Sequence, residues 1–324
     1  MLTKEKIDNT FAKDVLKGLS AQPKFLQSKY FYDQKGDKIF QEIMNMEEYY
    51  LTNAEYDIFT NYKADLLNLF SKDVEKFRII EFGAGDGLKT KVLLEHFLNK
   101  NANFEYVPID ISENVLKHLV SDLENRFPKL KVHSIRNDYF HALDHLHDDD
   151  RDETVRNVIF FLGSNIGNFK KEEAVDFLKE IGLRIGKQDF LFLGTDLKKD
   201  PKIILNAYND ASGITKRFNL NLLERINREL GANFDLNKFM HYPVYDPQTG
   251  TCKSYLISLE DQVVEIADLN DKIEFEAYEA IHTEISQKYS VSELKEIAQK
   301  AGFGMTHQFY DERKYFLDSV WELS

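Results

Sequence analysis

Between residues 78 and 197 the chain alternates two hydrophobic patterns. Short apolar runs at 78–82, 104–109, 131–136, 157–162 and 189–194 read as strands. Segments with apolar residues at helical spacing, 89–98, 113–127 and 171–185, lie between them. Strand, helix, strand in regular succession predicts a parallel sheet with helices on both faces. Near the end a helix over 290–301 is followed by runs at 304–310 and 315–323, which flank a charged turn and read as an antiparallel hairpin.

Two stretches fall outside this alternation. Residues 1–59 are mostly helical in pattern with a tyrosine-rich middle, and 198–284 mix a helix with strand-like runs. The second is inserted after the fifth strand, above the carboxyl ends of the strands, where doubly wound folds bind ligands. The expected organisation is therefore a cofactor-binding α/β domain over 60–197 and 285–324. A second, α+β domain over 1–59 and 198–284 would cover the substrate. By analogy, a doubly wound sheet with a terminal antiparallel hairpin is the architecture of class I methyltransferases.

Composition narrows the function classes. With 43% hydrophobic and 30% charged residues, the chain reads as an ordinary globular protein. A formal charge of −13 argues against a nucleic-acid surface. The single cysteine, Cys252, excludes an internal disulfide, and the histidines do not pair with acids or Cys252 at metal spacing, so no metal is expected. The N-terminus has no apolar signal core, and no apolar run reaches the roughly 18 residues of a membrane span. A cytoplasmic monomer acting on a small molecule, without nucleic acid or membrane, is the expectation. The acidic run 148–153 reads as a solvated loop, and His133, His141, His145 and His147 as surface or capping residues.

The chemistry concentrates at Glu81-Phe-Gly83-Ala-Gly85-Asp-Gly87, which follows the first strand. Glycines there let the backbone turn tightly and approach a flat ligand. The next strand ends in Asp110, a carboxylate suited to a pair of ribose hydroxyls. Leu88 stands where the dinucleotide fingerprint has its third glycine, so S-adenosylmethionine is favoured over NAD. A nicotinamide dehydrogenase is opposed by that leucine and by the lack of a catalytic His or Lys–Tyr arrangement. Asn137-Asp138-Tyr139, after the third strand, suits the adenine amine, or alternatively a helix N-cap. After the fourth strand the Asx-Pro-Pro-aromatic motif of base and amide methyltransferases is missing. Asn168 stands there instead, where the methyl group is delivered. Tyr32, Tyr49, Tyr50 and Tyr208 lie outside the sheet, and pattern alone does not separate core tyrosines from tyrosines that enclose a cationic amine.

Further segments carry a resemblance. Phe31-Tyr-Asp-Gln-Lys-Gly36, Glu48-Tyr-Tyr-Leu-Thr-Asn-Ala-Glu55, Glu81 through Thr90, Gly163 through Asn168, Gly194 through Lys198, Ala207 through Thr215, Phe218 through Asn221, Asn227 through Leu230 and Thr283-Glu-Ile-Ser286 are similar to the histidine-specific Nα-methyltransferases of ergothioneine biosynthesis. The resemblance implies that Gly83, Lys89, Asp110, Asp138 and Tyr139 hold S-adenosylmethionine, with Gly85 in the same loop. It implies that Tyr49, Asn168 and Tyr208 grip the amino acid's amine and carboxylate, and that Tyr32 lies near the reacting amine as the catalytic candidate. Glu284 and Ser286 would face the imidazole. The chain departs from the family at Ser254, where a methionine is usual, which leaves another small amine or amino acid as the alternative acceptor. The implied activity is methylation of the α-amine of free histidine, up to the trimethyl betaine.

Overall fold

A computed structural model of the protein describes residues 9–148 and 154–324. The acidic stretch 149–153 and the side chains of His145 and His147 lie outside the described residues. The chain divides into two compact units, one of Met1–Tyr50 with Lys199–Ser286, the other of Leu51–Lys198 with Gln287–Ser324. The first boundary lies nine residues before the expected one because helix α3, Tyr50–Phe70, runs unbroken through position 59.

The larger unit holds seven strands: β1 (Lys76–Phe82), β2 (Phe104–Asp110), β3 (Ile135–Arg136), β4 (Val155–Phe161), β5 (Phe190–Asp196), β11 (Phe303–Tyr310) and β12 (Phe316–Leu323). Their order is β11-β12-β5-β4-β1-β2-β3. The first five run parallel, and β12 pairs antiparallel with both β5 and β11. This is the parallel sheet that the strand–helix alternation predicts, closed by the antiparallel hairpin expected by analogy with class I methyltransferases. Helices α4 (Thr90–Asn99), α5 (Glu113–Arg126), α6 (Tyr139–Asp148) and α7 (Lys171–Gly182) follow the first four strands, and α10 (Val291–Lys300) precedes the hairpin.

Local signals set several of these starts. The Ser112 hydroxyl accepts from Val115 N at the head of α5, and Ser290 and Glu293 form a reciprocal capping box on α10. Strand β5 begins at Phe190 rather than 189. The Asp189 carboxylate instead accepts from Asn157 N at 2.8 Å and Gly186 N at 2.7 Å. The sheet is buried among side chains such as Ile80, Val107, Ile159, Leu191 and Trp321.

One strand is much shorter than its sequence suggests. The run 131–136 supplies only the two residues of β3, with an isolated bridge from Val132 to Tyr106. Lys131, His133 and Ser134 are polar on the sheet's outer edge, so little apolar area rewards a longer ladder there.

The smaller unit joins α1 (Asn9–Leu19), α2 (Gln34–Met44), α8 (Pro201–Tyr208) and α9 (Ile214–Leu230) to two small sheets. The strands are β6 (Phe239–Asp246), β7 (Thr251–Ser258), β8 (Gln262–Ile266), β9 (Asp271–Phe275) and β10 (Ala280–Gln287). They form a three-stranded sheet ordered β10-β7-β6 and a separate β8–β9 hairpin. Apolar residues of α9 (Phe218, Leu222, Ile226, Leu230) share one core with Phe11, Ile39, Phe239 and Leu256. Asp33 caps α2 through Gly36 N, and Asp200 with Pro201 starts α8. Among the described residues no helix is long and apolar enough to cross a membrane.

Candidate active site

In the larger unit the sheet reverses direction of winding between β1 and β4, and ligands of such folds bind beyond the carboxyl ends at that point. The loop leaving β1 turns through three left-handed residues: Gly83, Gly85 and Gly87 have φ of 64°, 56° and 65°. At Gly85 an added Cβ would meet no atom within 4 Å, so the space beside it is open and only the backbone angle demands glycine. Beneath the loop, Glu81 is fully buried and accepts from Thr90 Oγ1 at 2.8 Å and Tyr106 Oη at 2.6 Å. Burial pushes its carboxyl up to about 7, against the pull of those two hydroxyls. Glu81 thus ties β1, β2 and the start of α4 together, which is a structural task.

Asp110 ends β2 beside this loop. Its Oδ1 accepts from Ser112 N at 2.9 Å, and its Oδ2 only weakly from Gly85 N at 3.5 Å. Burial raises its carboxyl despite these N–H groups. A half-satisfied, desolvated carboxylate at a strand end is suited to accept hydroxyl donors.

Tyr139 lies flat on Phe82, with ring centroids 4.6 Å apart and planes 6° from parallel. Its hydroxyl stands 3.1 Å from the point a Cβ on Gly83 would occupy. Burial, with the Asp110 charge adding to it, pushes that phenol up to about 12. Gly83, Asp110 and Tyr139 therefore converge as the sequence suggests. Asp138 does act as an N-cap: its Oδ1 accepts from His141 N at 3.1 Å, and its Oδ2 pairs with the His141 ring at 2.5 Å.

Lys89 precedes α4, and its ammonium pairs with Glu55 of α3. After β4, Ser164 takes a left-handed φ of 58°, and its Oγ accepts from Asp196 N at 3.0 Å. That strained residue starts the turn Asn165–Asn168. Asn168 is exposed at its end.

In the smaller unit β7, β10 and the end of α8 assemble two hydroxyl-bearing pairs. Ser254 Oγ donates to Glu284 Oε2 at 3.1 Å, and Tyr208 Oη donates to Ser286 Oγ at 2.8 Å. Glu284 and Ser286 are two apart on one strand and so point to the same face. Ser254, Tyr208 and Ser286 are buried. Tyr32 and Tyr49 flank Phe40, at centroid distances of 5.5 and 6.4 Å, and Tyr32 is 47% exposed.

The family of histidine-specific, SAM-dependent methyltransferases matches residues 11–323. The chain belongs to that family. It is 31% identical over 299 residues to histidine N-alpha-methyltransferase of Mycolicibacterium smegmatis, covering 92% of this chain and 90% of the relative. Ergothioneine biosynthesis protein 1 of Schizosaccharomyces pombe is 30% identical over 288 residues, or 88% of this chain and 37% of that longer protein. An L-tryptophan methyltransferase of Psilocybe serbica is 26% identical over 324 residues, covering 93% and 90%.

Sequence reasoning assigned no role to Glu55 or to Asp318, a second fully buried acid, on β12. An acidic side chain on a helix face otherwise occupied by Leu51, Ala54, Ile58 and Phe59 is the signal that marks Glu55.

Proposed function

We propose that the protein transfers methyl groups to the α-amine of free histidine, using S-adenosylmethionine as donor. The observation that carries the substrate is the pair of hydroxyl contacts to β10, Ser254 to Glu284 and Tyr208 to Ser286. An imidazole N–H needs an acceptor, which Glu284 supplies, and a carboxylate ligand is served by neutral donors such as Tyr208, Tyr49 and Asn168. Membership of the histidine-specific family supports the same choice.

The larger unit fits the donor. Open space beside Gly85, the under-satisfied Asp110 and the aromatic wall of Tyr139 suit a nucleoside with a ribose diol. Gly83, Gly85, Lys89, Asp110, Asp138 and Tyr139 are assigned to hold it. When bound, S-adenosylmethionine supplies an electrophilic methyl group on a sulfonium. The chain's own residues then have two tasks: to hold the amine with its lone pair free, and to let its proton leave. Tyr32, half exposed beside Phe40 and Phe218, is assigned to pass that proton to solvent. Repetition on the same amine gives the trimethyl betaine.

Mass spectrometry of histidine incubated with the protein and S-adenosylmethionine tests the reading. Mass gains of one, two and three methyl groups are expected, and unchanged histidine overturns the substrate. A second acceptor class is favoured by one observation. Ser254 is small and spends its hydroxyl on Glu284, so the ring-facing side is less apolar than a methionine would make it. A panel of amino acids with labelled cofactor separates the two.

A further inference from the structure

Three ionisable groups around the carboxyl end of the sheet form one buried cluster: Glu55 on α3, Lys89 before α4 and Asp318 on β12. Both acids are fully buried. The Glu55 oxygens accept from Gly163 N at 2.8 and 3.1 Å, and one of them also holds the Lys89 ammonium. Asp318 differs. Neither of its oxygens finds a conventional hydrogen-bond partner among the described residues. A Cβ added at Gly194 would collide with Glu55 Oε1 and stand 2.9 Å from Asp318 Oδ1, so the two acid heads share the space above that glycine.

Two carboxylates that share one dry site do not both ionise, because like charges at that range repel strongly. One ammonium balances one of them. Glu55, which already has the lysine and a backbone N–H, is the natural anion. Asp318 as an anion would be buried with no donor, a costly state, whereas as an acid it has an O–H to give. We propose that Asp318 is held as the neutral acid, donates its proton in a hydrogen bond to Glu55, and through Glu55 positions Lys89 and the Gly163 amide. Lys89 closes the glycine loop after β1, and Gly163 opens the loop that leads to Asn168. The acid pair therefore fixes two loops on neighbouring strands. Glu55 and Asp318 are positioning residues.

The groups facing Asp318 agree in sign. Burial raises its carboxyl well above the usual range, the Glu55 and Asp311 charges push the same way, and Lys89 alone opposes them. The Lys89 ammonium is itself held protonated: burial disfavours it, and the acidic groups around it, Glu55 first among them, together more than offset that. Gly194 belongs to the device, since any side chain there would displace both acids.

The location of the proton is independent of the methyl-transfer reading, and only the assignment of Lys89 to the cofactor rests on it. Infrared spectra of protein carrying carbonyl-labelled aspartate test the first part. A protonated-carboxyl stretch that shifts with the label is expected in the wild-type protein at neutral pH, and it is lost in Asp318→Asn. Calorimetry with S-adenosylhomocysteine tests the second. Glu55→Gln and Asp318→Val weaken binding by about tenfold or more, while Asp318→Asn, which keeps a donor toward Glu55, restores it to within about threefold of wild type. A wild-type spectrum without the labelled band overturns the proposal, as does an Asn variant that binds as poorly as the Val variant. The infrared measurement on the wild-type protein can overturn the proposal even where a variant fails to fold. Protein that shows the band yet leaves histidine unmethylated removes the substrate reading and leaves this one in place.

Discussion

Ser254 on β7 donates its hydroxyl to Glu284 Oε2 on β10 across 3.1 Å, thirty residues away in sequence. Ser254, which the sequence reading singled out for acceptor choice, is thus bonded to the acid proposed to face the imidazole. In the proposed site the two form one unit, so a change at one should be felt through the other.

Glu284→Ala should lower kcat/KM for histidine by about 1–3 kcal/mol, because the ring N–H then lacks its acceptor. Ser254→Ala should cost less, about 0.5–1.5 kcal/mol, and nothing further in the Glu284→Ala background. Ser254→Met should tighten histidine binding by restoring an apolar wall. Steady-state kinetics on the four variants check the cycle. Additive losses would show that the hydrogen bond does not couple the pair.

Asp110 has one oxygen bonded to Ser112 N and the other only loosely to Gly85 N. Asp110→Ala should weaken S-adenosylhomocysteine binding by about 1.5–3 kcal/mol while the melting temperature stays near that of wild type. Isothermal calorimetry gives the answer directly. Unchanged affinity in the folded variant removes the carboxylate from the cofactor site.

Asn168 is exposed, and Tyr208 is buried against Ser286. Asn168→Ala and Tyr208→Phe should each raise KM for the amino acid about tenfold or more, with S-adenosylhomocysteine affinity within about twofold of wild type. Parallel loss of both affinities would mean that each side chain supports the fold rather than the substrate.

Glu81 gives a pH prediction. Burial, the dominant cause, puts its folded-state pKa at about 7, against 4.5 for an ordinary glutamate. The folded state therefore holds a proton that the unfolded chain gives up, so this acid's contribution is full below pH 4.5 and fades as pH rises to about 7. Above that, Glu81 costs the wild type on the order of 3 kcal/mol. Thermal melts of wild type and Glu81→Gln should diverge across that window, the wild type falling more steeply. Parallel pH dependences would show that the acid is solvated.

The sequence by itself determined what local patterning can encode. Strand β1, its three glycines and the helix behind them occupy one continuous segment, and Asp110 is fixed to the carboxyl end of β2 by the same alternation. Positive φ at Gly83, Gly85 and Gly87 is a requirement of a tight turn, so residue type alone announces it. The resemblance added proposed roles for Tyr49, Tyr208, Glu284 and Ser286, residues that no periodicity marks. The tertiary structure decided the rest. Tyr208 reaches Ser286 over a gap of 78 residues, and Gly163 reaches Glu55 over 108. Glu55 and Asp318 come from opposite ends of the chain to share the space over Gly194. Such partnerships exist only once α3, β5 and β12 are packed, because a carboxyl group's state depends on what excludes water from it and on which charge faces it. Neither is written in the residues beside it.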